Sequence, residues 1–144
     1  MAPPSTRVAL PEPLTRYLSA WNAAGSRWDC AALAECFTED ALFFGGRPEH
    51  SVGRAAIEAY FRSYTGIIAS CTLSLRDQHI VDDLVPDYCT AQGYGDFSFI
   101  LADGLHTRSV VRTTLILVRE RNRWRARLQH IAPPPAEPPI GRNG

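Results

Sequence analysis

The stretch VRTTLILVRERNRWRARLQHIAPP, residues 111–134, carries two strand-like runs around a short polar turn. The first run is dense in β-branched residues. The second alternates arginine with apolar residues, and Arg121 and Asn122 separate the two. Such a pattern predicts a β-hairpin. Successive strand side chains point to opposite faces. Strict alternation therefore places Trp124, Ala126, Leu128 and His130 on one face, and Arg125, Arg127 and Gln129 on the other. The arginine face is the wet one, so His130 is expected to point inward with Trp124. The first run does not alternate. Val110, Ile116 and Val118 lie on one face, Val111, Leu115 and Leu117 on the other, and both need cover.

Upstream of the hairpin the same texture continues. Strands are expected near 67–81, 87–101, 105–120 and 123–132, separated by the turn segments VPD, ADG and RN. Before residue 67 the period changes. Leu14, Tyr17, Leu18 and Trp21 repeat at helical spacing, and Ile57, Tyr60, Phe61 and Tyr64 do so again after Gly53. Between these, Asp29 can cap a short helix carrying Leu33, Cys36 and Phe37 on one side. TEDALFF then turns into a short extra strand, and GGRPEHSVG reads as a loop. Helices first and consecutive strands afterwards define an α+β fold. Strands of this length must twist and curl. The expectation is a cone: a strongly curved antiparallel sheet with three N-terminal helices covering a pocket.

At 144 residues the chain suits a single domain, placed at 12–134. Residues 1–11 are expected to form a flexible arm and 135–144 a flexible proline-rich tail. Fifteen basic residues balance fifteen acidic ones, which favours neither nucleic acid nor an anionic membrane as partner. No apolar run approaches the roughly 20 residues that span a bilayer. The start lacks the profile of a signal peptide, and four cysteines without a C-x-x-C pair read as reduced, buried thiols, so a cytoplasmic location is expected. Metal spacing is missing as well: the four histidines are far apart, and Asp82–Asp83 lacks the alternating acids of a calcium loop. No G-x-S-x-G elbow is present. Neither a metal nor a cofactor is expected.

The segments LTRYLSAWNAA, LAECFTEDALFF and GRAAIEAYF resemble the opening of the nuclear transport factor 2-like superfamily, particularly its SnoaL-like members. The closing hairpin is similar to that of the association domain of calcium/calmodulin-dependent kinase II and its bacterial relatives, with Thr114, Trp124 and His130 at matching positions. The resemblance covers roughly residues 12–134. It implies a small α+β cone, usually dimeric, with a pocket between sheet and helices. Members include cyclases, isomerases, dehydratases, epoxide hydrolases and non-enzymatic assembly domains, so fold fixes little about function. The resemblance breaks at Leu115 and Ile131, where the association domain carries arginine; that arginine cluster is not carried over.

Several residues are candidates for a site. His130 can act as general base, hydrogen-bond donor or plain filler. Arg112, among apolar strand residues, needs a carboxylate, a ligand or solvent. Tyr94 and Asp96, flanked by Gly93 and Gly95, form an acid/base pair if they face the pocket, and are ordinary edge residues if they face outward. Tyr17, Trp21, Tyr60 and Tyr64 combine aromatic bodies with polar tips and can line a cavity, although core packing explains each alone. Asp40 reads as a cap where the second helix gives way to strand, and His50 as a loop residue near a pocket mouth. Two functions fit: a dimeric protein binding a small molecule, or a cyclase, isomerase, dehydratase or hydrolase using His130 or Asp96. The two-sided apolar strand 110–118 favours a homodimer built sheet against sheet.

Overall fold

The structure is a computed structural model that describes residues 10–141. Three helices precede the long strands: α1 (Glu12–Gly25), α2 (Cys30–Ala34) and α3 (Arg54–Arg62). The strands are β1 (Phe37–Phe44), β2 (Ser51–Val52), β3 (Ile68–Val81), β4 (Tyr88–Leu101), β5 (His106–Glu120) and β6 (Arg123–Ala132). They form one sheet in the order β2-β1-β6-β5-β4-β3. The α+β expectation holds, and all four long strands lie within a residue of their expected bounds. The extra strand β1 runs parallel to β6, so the sheet is mixed, with this one parallel ladder among antiparallel pairs.

Each helix packs by the stripe read from the sequence. Leu14, Tyr17 and Trp21 of α1 are buried, as are Ile57 and Phe61 of α3. The α2 cap is also found, with Asp29 accepting from the Ala32 N–H at 3.0 Å. That helix stops at Ala34, however, and Phe37 opens β1 instead of extending the helical stripe. A core of Phe37, Phe43, Leu73, Cys89, Leu115 and Leu117 lies between the helices and the sheet's inner face.

Two contacts fix α1 over the sheet. Asn22 bonds the backbone of Leu73 in both directions, donating to its C=O at 2.9 Å and accepting from its N–H at 2.7 Å. Since β3 is an edge strand, this also occupies backbone groups that would otherwise invite pairing. Nearby, the chain passes so close that a Cβ on Gly25 would lie 2.3 Å from the Cys71 carbonyl oxygen. Only glycine fits there.

Two bulges decide which side chains face the helices. In β6, Leu117 pairs with Ala126 but Ile116 pairs with Leu128, leaving Arg127 as an extra residue. In β3 the register slips between Arg76 and His79, around Asp77 at φ 54. A bulge of one residue reverses the faces beyond it. The inward placement of His130 is thereby overturned. Ala126 is buried, as the alternation requires, but beyond Arg127 it is Gln129 that turns inward, at 2 % exposure. His130 is exposed on the outer face, opposite to the side expected.

Residues 135–141 carry no helix or strand and are exposed. Residues 1–9, most of the expected arm, and residues 142–144 lie outside the described residues. No helix among the described residues is long and apolar enough to cross a membrane.

Candidate functional site

The sheet carries a concavity on each face, and the candidate residues divide between them. On the inner face, helices α1 and α3 and the turn before α2 close a cavity of about 160 Å³. Trp21, Trp28, Phe61, Tyr60 and Tyr64 line it from the helical side, and Phe97, Val111, Gln129 and Ile131 from the sheet. Its walls are locked by edge-to-face aromatic contacts, with Trp28 against Phe61 at 5.8 Å and Tyr60 against Phe43 at 4.8 Å between centroids.

Few polar groups reach this cavity, and none carries a formal charge at neutral pH. The Tyr60 hydroxyl accepts from the Gly46 N–H at 2.7 Å, and burial pushes its pKa well up. Burial likewise raises the Cys71 thiol to about 12, which leaves it a neutral, unreactive wall. Gln129 presents a buried amide whose Oε1 accepts from the Tyr17 hydroxyl at 3.1 Å. Tyr17 itself is fully buried behind that amide. The indole N–H groups of Trp21 and Trp28 are buried without a partner among the described residues. A buried donor left unpaired costs about 1–3 kcal/mol, so such groups call for an acceptor.

The outer face holds the rest. Tyr94, Arg112 and His130 line a groove of about 580 Å³ together with His79, Gln92 and Thr114. Asp96 also points outward, where Arg76 binds its carboxylate at 2.9 Å. Asp40 accepts from the Thr38 hydroxyl at 2.9 Å and pairs with Arg127 at the β6 bulge, at 3.3 Å. His50 lies flat on Phe44, with ring centroids 4.2 Å apart. All four cysteines are free and buried. Among the described residues no cluster of histidine, cysteine or carboxylate could hold a metal ion.

Thus Trp21, Tyr60 and Tyr64 share the inner cavity, Tyr17 supports it, and Tyr94, Arg112, His130 and Asp96 stand on the opposite face. Gln129 and Trp28 were not singled out from the sequence. Strict alternation places Gln129 on the wet face, because nothing in RARLQH marks the bulge. Trp28, at φ 48, sits in the left-handed region within the turn between α1 and α2, where no periodicity reports direction.

A six-stranded mixed sheet, three helices across its inner face and a cavity between them make up the nuclear transport factor 2-like fold. Within it the chain belongs to the SnoaL-like domain family, which residues 15–136 match. Among solved structures, it is similar to a protein of Xanthomonas campestris provisionally described as a calcium/calmodulin dependent protein kinase II association domain. The two share 18 % identity over 95 % of this chain and 100 % of that one, with a TM-score of 0.76. A provisionally described scytalone dehydratase of Novosphingobium aromaticivorans gives 13 % identity, 92 % and 93 % coverage and a TM-score of 0.70. A ketosteroid isomerase-like protein of Erwinia carotovora atroseptica gives 16 %, 83 % and 88 %, and 0.61. At such identities the likeness concerns the fold alone. No curated protein matches the sequence.

Proposed function

We propose that this SnoaL-like protein binds a small, neutral, largely apolar molecule of about one ring in the inner cavity. The observation that carries this reading is a cavity walled almost wholly by aromatic and aliphatic side chains. The cavity volume matches an engineered apolar cavity of about 150 Å³ that takes benzene. A charged ligand would lose its hydration here without an ion to replace it.

The same lining favours binding over acid–base catalysis. A general acid or base must lie within hydrogen-bond reach of the reacting atom. The side chains around this cavity are aromatic, aliphatic, amide, thiol and hydroxyl groups. The two acid–base candidates, His130 and Asp96, are on the other face.

The proposal includes a homodimer. Val110 is 44 % exposed on the outer face, and Ile116, Val118 and Leu128 are partly exposed further along the same face. These residues flank the outer groove, so a second copy seated on them would roof the groove while covering the apolar flanks. An interface of this kind buries on the order of 2,000 Å².

Thermal denaturation with p-cresol, naphthol and a four-ring steroid tests the size limit. Saturable stabilisation by p-cresol, absent for the steroid and lost in Val111→Phe, is expected. Stabilisation by the steroid, or none by p-cresol, would refute the one-ring reading.

A further inference from the structure

The outer groove crosses four strands, and register fixes its floor. His79 of β3 lies opposite Gln92 of β4, Gln92 opposite Thr114 of β5, and Thr114 opposite His130 of β6. In the adjoining row Tyr94 lies opposite Arg112, and Arg112 opposite Ala132. The small Ala132 side chain leaves room beside the guanidinium. One wall is the β3 bulge at Asp77, which crosses Gly93 so closely that a Cβ there would lie 2.5 Å from the Asp77 carbonyl oxygen. The bulge and the glycine together hold the groove open.

The charge distribution is unequal. Two carboxylates lie near, and Arg76 takes both: Asp96 at 2.9 Å and Asp77 at 3.5 Å. Arg112 has no carboxylate within 4.0 Å among the described residues. The Thr114 hydroxyl accepts from Gln92 Nε2 at 2.9 Å, which leaves its own proton free to donate. His79, His130 and the Tyr94 hydroxyl add further donors along the lining. A concave site with one unmatched guanidinium and convergent donors lacks only the acceptor.

We infer that the outer groove binds a small organic anion, its carboxylate or phosphate head on Arg112 and Thr114. The volume falls within the range of about 300–1,000 Å³ usual for small-molecule sites. This site is separate from the inner cavity, which Val111 and Ile131 line on the sheet's other face. It differs in chemistry as well, since it takes charge where the cavity refuses it.

Calorimetric titration of the full chain with succinate and with inorganic phosphate tests the inference, with sedimentation recording the oligomeric state of the same samples. Saturable binding that weakens with added salt is expected. Arg112→Gln should weaken it about tenfold or more, as befits loss of a charge-assisted pair, whereas Arg108→Gln on the same strand should leave it within about twofold. Tighter succinate binding assigns a carboxylate head, and tighter phosphate binding a phosphoryl head. Thr114→Val, which keeps shape and removes the donor, provides a second reading should Arg112→Gln perturb folding; it should also weaken binding. Absence of saturable binding of either anion, or affinity unchanged in both variants, overturns the site. Stabilisation by p-cresol should be unaffected by Arg112→Gln, so the two sites fail or succeed independently.

Discussion

The Tyr17 hydroxyl donates to Gln129 Oε1 at 3.1 Å, joining helix α1 to strand β6 beneath the inner cavity. Both residues are buried, and the bond lies where the β6 bulge has turned the chain over. It couples the position of α1, whose Trp21 lines the cavity, to the one amide on the cavity floor.

Removing one partner should therefore be felt. Tyr17→Phe leaves the Gln129 oxygen without its donor and should destabilise the fold by about 1–2 kcal/mol in urea denaturation. Tyr17→Phe combined with Gln129→Met should recover part of that loss, because no buried acceptor then remains unpaired. A neutral Tyr17→Phe would show that the bond contributes nothing.

Gly25 makes a sharper case. Any Cβ there meets the Cys71 carbonyl at 2.3 Å and the Trp21 ring at 2.9 Å, and backbone cannot yield as a side-chain tip can. Gly25→Ala should cost about 2–3 kcal/mol by overpacking, despite alanine's better helix propensity. A stabilised variant would mean that α1 does not sit this close to β3.

How far the sequence could be read follows from these positions. Helix stripes and strand limits were legible because burial repeats at 3.6 or 2 residues, and Leu14, Tyr17 and Trp21 or Val111, Leu115 and Leu117 keep that period. Faces were legible only up to the first bulge. Arg127 and Asp77 each shift one residue out of register, and a bulge leaves no mark in the hydrophobic pattern of its own strand. His130 and Gln129 exchanged places for that reason alone. Tyr94 and Arg112 lie on unbulged stretches, but periodicity there fixes only which residues share a face, not which face meets the helices.

Alkali should expose the buried thiols. Burial raises the Cys36 thiol to about 11 and Cys71 to about 12, and moves Cys89 upward. In the unfolded chain these groups ionise near about 8.5. Their contribution is fully present below that pH and is lost as pH rises toward the folded values. Every basic side chain besides histidine is arginine, so no lysine titrates in this window. Stability should fall between about pH 9 and 11, by up to about 1.4 kcal/mol per pH unit for each thiol. A flat urea midpoint across that range would contradict the burial of these groups.

The outer face predicts a contrast within one strand. Ile116→Arg, on the outer face, should give a folded monomer in sedimentation, whereas the unmodified chain should give the proposed dimer. Leu115→Arg, whose side chain is fully buried, should fail to fold because it places an unpaired charge in the core. A stable monomer of 15.9 kDa for the unmodified chain would refute the dimer.

His130→Ala should leave binding in the inner cavity unchanged, since the whole sheet separates the imidazole from the ligand. Titration of this variant with p-cresol, read by thermal stabilisation, checks it. A loss of that stabilisation would place the ligand on the outer face.

The most direct measurement follows the three indole N–H resonances in nuclear magnetic resonance spectra during titration with p-cresol. Trp21 and Trp28 line the cavity, while Trp124 packs elsewhere, beneath the Arg119 guanidinium. Saturable shifts of the Trp21 and Trp28 signals, with Trp124 unmoved, are the predicted result. Saturable binding that leaves Trp21 and Trp28 unmoved, or no binding at all, would contradict a ligand in the inner cavity.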